Sequence, residues 1–152
     1  MKFSINQQDL QKSLSYCQGV IEKRSTLPIL SNVLLDVGNG KLTITATDLD
    51  IIFIHQISNI EIFEEGKTTT SSSIMYDIVR KFSSGKKINF SNTSENKLQL
   101  ESEKSIFNLN CINASEFPLT DENFNQNEFV IKSKELLKLL NKCKFSISND
   151  ET

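Results

Sequence analysis

Three kinds of side chain in this sequence are equipped for chemistry, and each is short of the partners that chemistry needs. His55 is the only histidine; it lies in a β-rich run with no nucleophile or acidic residue at a recognisable motif spacing, so catalysis by proton transfer lacks its second member. Asp48 and Asp50 are two apart and could share one face of a strand to hold a hard cation, yet they fall where a strand gives way to a turn. Cys17, Cys111 and Cys143 are odd in number and widely spaced, without a C-x-x-C pair, which argues against a disulfide framework or a zinc knuckle and for free thiols in a core. The 5 glycines form no phosphate-binding loop, so nucleotide hydrolysis is not expected. No catalytic site, metal or cofactor is expected of this chain.

The elements that position these residues are those of a soluble globular protein. The chain has 152 residues, room for one domain of ordinary size and a small remainder. Seventeen basic against 19 acidic residues leave a formal charge of -2, which excludes a cationic coat able to hold nucleic acid by charge alone but permits a local basic strip. The apolar run Ile51-Ile52-Phe53-Ile54 is far short of the roughly 20 residues that span a bilayer, so no membrane partner is expected. The N-terminus turns polar before a signal-peptide core forms, and a cytoplasmic location is the expectation.

A repeat organises the chain. Residues 3–17, FSINQQDLQKSLSYC, and residues 129–143, FVIKSKELLKLLNKC, align at an offset of 126, with Phe, Ile, Leu, Lys, Leu and Cys recurring in order. Each copy begins with a period-two F-x-I and changes to apolar residues at helical spacing, a strand leading into an amphipathic helix. The second copy stops soon after its helix. The chain therefore reads as a first domain over residues 1–125 and the start of a second over 126–152.

Inside the first unit the pattern predicts a strand at 2–6, a helix at about 7–18 with Gly19 as its C-cap, and a strand ending at Val37. Gly38-Asn39-Gly40 makes a hairpin turn into an alternating strand at 41–47, and a further strand covers 51–57. After a β-rich stretch ending in Thr68-Thr69-Thr70, serines 71–73 cap a second helix whose apolar face is Ile74, Ile78, Val79 and Phe82, with Gly85 ending it. Three alternating strands follow, around residues 88–90, 97–101 and 105–110. Strand, helix and three strands thus occur twice. That count predicts an α+β fold of two antiparallel four-stranded sheets with two helices on one side.

Specific residues then carry a resemblance. Met1-Lys2-Phe3, Arg24 followed by Thr26-Leu27-Pro28-Ile29-Leu30 with Asn32, the segment Thr45-Ala46-Thr47-Asp48-Leu49-Asp50, and Ala114-Ser115-Glu116-Phe117-Pro118 together resemble the first domain of the bacterial sliding clamp, the beta subunit of DNA polymerase III. The resemblance covers the whole chain. It implies a DNA-clamp-like domain, one of three in a subunit of about 380 residues. It further implies that two subunits pair head to tail in a ring around duplex DNA, and that the polymerase III subunits and the clamp loader bind the full-length protein.

A ring holds DNA by topology, so a weak positive lining suffices and a near-neutral charge is no obstacle. On this resemblance the DNA-binding candidates are Arg24, which falls on an arginine that contacts DNA in the family, with Lys12 on the first helix and Arg80 and Lys81 on the second. Lys86 and Lys87 lie just beyond. The sequence departs from the family at Ser71-Ser72-Ser73, where basic residues are common. The ring-interface candidates are Lys104, Ser105, Ile106 and Phe107, with Phe107 on the family's buried aromatic; alternation alone leaves open whether Phe107 faces a partner or its own core. Glu101 and Glu103 stand where positive residues are common in the family. The implied function is that of a non-enzymatic processivity factor for DNA replication. The alternative is a stand-alone adaptor domain that reuses the fold without forming a ring.

Overall fold

Phe3 and Ile5 alternate with polar neighbours and are buried, which makes Lys2–Asn6 the first strand, β1. The change to helix comes at Asn6, whose side-chain oxygen accepts a hydrogen bond from the Gln8 amide at 2.9 Å and caps α1 (Gln7–Cys17). The structure is a computed structural model and describes residues 1–21, 27–94, 96–119 and 129–147. α1 buries Leu10, Leu14 and Cys17, one stripe at helical spacing. Gly19 is not the left-handed cap expected of it: Gln18 takes a helical conformation at the cap position, and the amides of Gly19, Val20 and Ile21 fold back onto the Tyr16 and Cys17 carbonyls.

A 3-10 turn at Pro28–Ser31 leads into β2 (Asn32–Gly38). Asn39 (φ 51°) and Gly40 (φ 75°) supply the two positive-φ positions of a tight hairpin, and β3 (Lys41–Thr47) returns against β2. β4 (Ile52–Ile57), β5 (Ile60–Glu64) and β6 (Gly66–Ser71) follow. α2 (Ser72–Val79) is capped by the Ser71 hydroxyl, which accepts from the Ile74 amide. The buried face of α2 is Ser72, Met75 and Val79, with Ile78 and the following Phe82 packed against the core; of the expected face only Ile74 is exposed, and Met75 takes its place. α2 also ends earlier than expected, with Arg80 as its C-cap, and Gly85 (φ 78°) belongs to the turn before β7. β7 (Lys87–Ser94), β8 (Lys97–Ser102) and β9 (Ser105–Ile112) complete the unit.

The expected pair of separate four-stranded sheets is corrected to one nine-stranded antiparallel sheet, ordered β4-β3-β2-β6-β9-β8-β7-β1-β5. Two features make the difference. β5 is an additional strand, pairing with β1. β9 is eight residues long and joins two sets of strands: Ser105–Asn110 pair with β8, whereas Cys111 and Ile112 pair with Thr70 and Thr69 of β6. The same Thr69 and Thr70 hydroxyls donate to the Ile112 and Asn110 carbonyls at 2.8 and 3.0 Å, closing the seam.

α1 and α2 run antiparallel over one face of this sheet. The Gln7 side-chain amide donates to the Val79 carbonyl at 2.9 Å at one end of the pair, and the Gln18 amide donates to the Ser72 hydroxyl at 2.9 Å at the other. Beneath them Phe3 stacks on its register partner Phe90, with ring centroids 4.7 Å apart, among Ile5, Leu35, Ile44, Met75, Leu98 and Leu100.

The chain divides into two compact units, Met1–Leu119 and Thr120–Thr152. In the second, α3 covers Ser133–Cys143 and has no buried residue. The strand expected at 129–131 is not formed: these residues pair with no other strand among the described residues, and a strand needs a neighbour to satisfy its backbone.

Candidate functional site

Two surfaces of the first unit gather the residues singled out by sequence. The first is the solvent side of the helix pair. Leu10, Leu14 and Cys17 turn α1 inward, so Gln8, Lys12 and Ser15 face out, and with Gln11, Tyr76 and Ser84 they line an open groove of about 440 Å³ between the helices. The cations here differ in state. Arg80 pairs with Asp77 at 3.2 Å, one turn back, and its guanidinium lies 6.0 Å from the centroid of the Tyr76 ring. Lys86 pairs with Glu103 and Lys87 with Glu61. Lys12 and Lys81 are exposed and enter no ion pair among the described residues. Neutral amides and hydroxyls dominate the groove, and the positive charge left over is small. Arg24 lies outside the described residues.

The second surface is the margin of β9. Only Cys111 and Ile112 of β9 meet β6, so Ser105–Leu109 leave their far edge without a pairing strand among the described residues. An open edge of this length is a pairing surface. Lys104, Ser105, Ile106 and Phe107 are all exposed here. Phe107 registers with Leu100, which registers with Phe90, and Phe90 with Phe3, so Phe107 points to the core side of the sheet. Its row nevertheless runs past the cover of the helices, and Phe107 stays 39% exposed, touching Phe82 edge-on. Ile106 points to the opposite side beside Glu101 and is 57% exposed. Phe107 thus faces the core side of its own sheet and remains accessible. Glu103, in a left-handed conformation (φ 54°), occupies the β8–β9 turn.

The residues suited to chemistry have structural partners. The Asp48 carboxylate accepts from the Asp50 and Ile51 amides at 3.1 and 2.7 Å and so closes a turn. No group of three or more metal-ligating side chains gathers among the described residues. His55 shares a hydrogen bond through Nδ1 with the Ser13 hydroxyl, stacks on Phe53 and meets Tyr16 edge-on, fastening α1 to the edge strand β4. Burial pushes the Cys17 thiol up to about 12, and burial also raises Cys111, so both rest as neutral thiols. No helix among the described residues is long and apolar enough to cross a membrane.

Sequence reasoning missed the neutral members of the helical groove, Gln8, Gln11 and Tyr76, because amides and a tyrosine carry no signal for a polyanion. The Asp77–Arg80 spacing, by contrast, was open to reading as an i,i+3 pair.

Comparison with known proteins decides the family. Residues 1–121 match the model of the DNA polymerase III beta subunit, N-terminal domain. The chain belongs to that family. The beta sliding clamp of Caulobacter vibrioides is 34% identical over 154 residues, and that of Escherichia coli K12 is 31% identical over 151 residues. The solved Caulobacter crescentus pol III beta superposes with a TM-score of 0.92 over the whole chain, and a sliding clamp from Bartonella birtlesii, bound to griselimycin, with 0.93 over 99% of it at 33% identity. The chain spans about two fifths of the length of these clamps: 41% of the two curated relatives and 40% of the two solved chains. This N-terminal domain presents a β9 edge that bears Phe107 and has no pairing strand among the described residues, and a helical face with little free charge.

Proposed function

We propose that this chain is the first domain of a sliding clamp, residues 1–125, with the opening of a second at 126–152, and that the full-length protein encircles duplex DNA as a head-to-tail dimer. It acts without catalysis, tethering DNA polymerase III subunits after placement by a clamp loader, in the cytoplasm. The observation that carries this reading is the family match over residues 1–121, joined to the edge of Ser105–Leu109, which has no pairing strand among the described residues.

On this reading the α1–α2 face looks onto the DNA. A clamp must slide, so its lining should attract the polyanion without gripping any phosphate. Lys12 and Lys81 supply free charge, Arg80 is half-neutralised by Asp77, and glutamine and serine side chains present dipoles that water can bridge. Arg24 is the further DNA contact implied by the family. The β9 edge is where the partner subunit adds its strand, with Lys104, Ser105 and Ile106 forming the edge and Phe107 filling an apolar contact.

The test uses the full-length protein loaded onto nicked circular DNA. Retention through a high-salt wash, followed by release on linearisation, is the expected result. Loss from the circle in high salt overturns encirclement and leaves the adaptor reading.

A further inference from the structure

The turn after α2 is clasped to the β8–β9 hairpin at three points. The rings of Phe82 and Phe107 meet edge to face, with centroids 5.7 Å apart and planes at 71°. The Ser83 hydroxyl donates to Glu103 Oε2 at 3.2 Å, and Lys86 Nζ lies 3.4 Å from Glu103 Oε1. Phe82 is itself anchored: its amide donates to the Val79 carbonyl at 3.3 Å, and its side chain packs against the core cluster. Phe107 is held in the ladder opposite Leu100, but its side chain is outside the core cluster; its strand has one edge without a pairing strand among the described residues, and the ring stays partly exposed.

An aromatic anchor contributes most to an interface when its rotamer is held before the partner arrives, because ordering the side chain on binding opposes association. Phe82 is placed to hold it, since an edge-on ring blocks the swing of Phe107 toward α2. We propose that Phe82 is a positioning residue for the ring interface, orienting Phe107 while the Glu103 contacts fix the turn that leads into β9. This rests on the reading of Phe107 as an interface residue.

The experiment measures the subunit dissociation constant of the full-length protein by dilution, and its unfolding by urea, for Phe107→Ala, Phe82→Ala, the double variant, Phe82→Tyr, Phe82→Leu and Val79→Ala. Phe107→Ala is expected to weaken the dimer strongly and Phe82→Ala by about 3- to 10-fold, the size of one lost preordered side chain. The double variant is expected to be no weaker than Phe107→Ala, and Phe82→Tyr, which keeps the ring, to match the unsubstituted protein. Val79→Ala, a truncation in the core, should lower the urea midpoint and leave dimer affinity alone.

If Phe107→Ala weakens the dimer while Phe82→Ala does not, the positioning role is wrong and the interface reading stands. Fully additive effects also overturn it, since Phe82 would then act independently of Phe107. If Phe107→Ala has no effect, the interface reading fails first. Should Phe82→Ala fail to fold, Phe82→Leu, which removes the ring but keeps apolar bulk, carries the same comparison.

Discussion

The side chain of Gln7, the first residue of α1, donates to the carbonyl of Val79, the last residue of α2, at 2.9 Å. Gln7 is 2% exposed, and the same amide also reaches Gln11 Oε1 at 2.7 Å. One buried side chain therefore gives a helix-end carbonyl, which also accepts from the Phe82 amide at 3.3 Å, a second donor, and ties one helix to the other. Replacement of Gln7 by Ala leaves that carbonyl with the Phe82 amide alone, and a loss of about 0.5–1.5 kcal/mol in urea unfolding is expected. A change below a few tenths would mean that water replaces the amide without cost.

Gly40 and Gly66 both hold positive φ, 75° and 151°, but differ in surroundings. A Cβ at Gly40 meets nothing within 4 Å, so Gly40→Ala should cost only the backbone preference, roughly 1–2 kcal/mol. At Gly66 the added carbon lies 3.1 Å from Met1 Cβ, a buried residue, so Gly66→Ala should cost distinctly more. Equal losses from the two substitutions in thermal unfolding would show that Met1 shifts freely.

Cys17 gives the stability curve an alkaline slope. Its folded-state value is raised to about 12 from 9.0 by burial, so the unfolded chain releases this proton first as pH rises. The contribution is complete below about 9 and declines as pH climbs toward 12. Burial raises Cys111 in the same direction. Urea midpoints between pH 8 and 10.5 should therefore fall with pH, and fall less steeply in Cys17→Ala, whatever that variant loses overall to its cavity. An unchanged slope in the variant counts against a buried thiol at 17.

Charge on the helical face makes a prediction about salt. In the full-length protein, Lys12→Ala and Lys81→Ala should each reduce the slope of DNA association against log salt by up to about one, uniformly across sequences. Arg80→Ala should change it less, because that guanidinium already pairs with Asp77, and Asp77→Asn should steepen the slope. A larger effect from Arg80→Ala than from Lys12→Ala would show that the Asp77 pair opens on DNA.

The fold was legible where a feature is local. Phe3 and Ile5 alternating before Leu10 and Leu14 placed β1 and α1 almost to the residue, and Asn39-Gly40 placed the hairpin. On α2 the face was legible at Ile78, Val79 and Phe82, while Ile74 was taken as buried in place of Met75, because the entry from β6 through Ser71 sets the helix's rotation. β5 was folded into an undivided β-rich stretch, since its pairing with β1 lies some sixty residues away in sequence. The candidate site was legible as residue types and illegible as states: Lys12, Arg80, Lys86 and Lys87 look alike in sequence, and their partners separate them.

The sequence by itself determined the strand and helix pattern, the repeat at offset 126 and the family, because periodicity, turn residues and motif spacing are local properties of the chain. Only the tertiary structure decided that β6 and β9 join the strands into one sheet, that of the candidate cations on the described helices Lys12 and Lys81 enter no ion pair whereas Arg80 does, and that Phe107 faces inward yet stays accessible against Phe82. Each of these depends on hydrogen bonds and packing between residues distant in sequence, and those exist only once the sheet has closed over its helices.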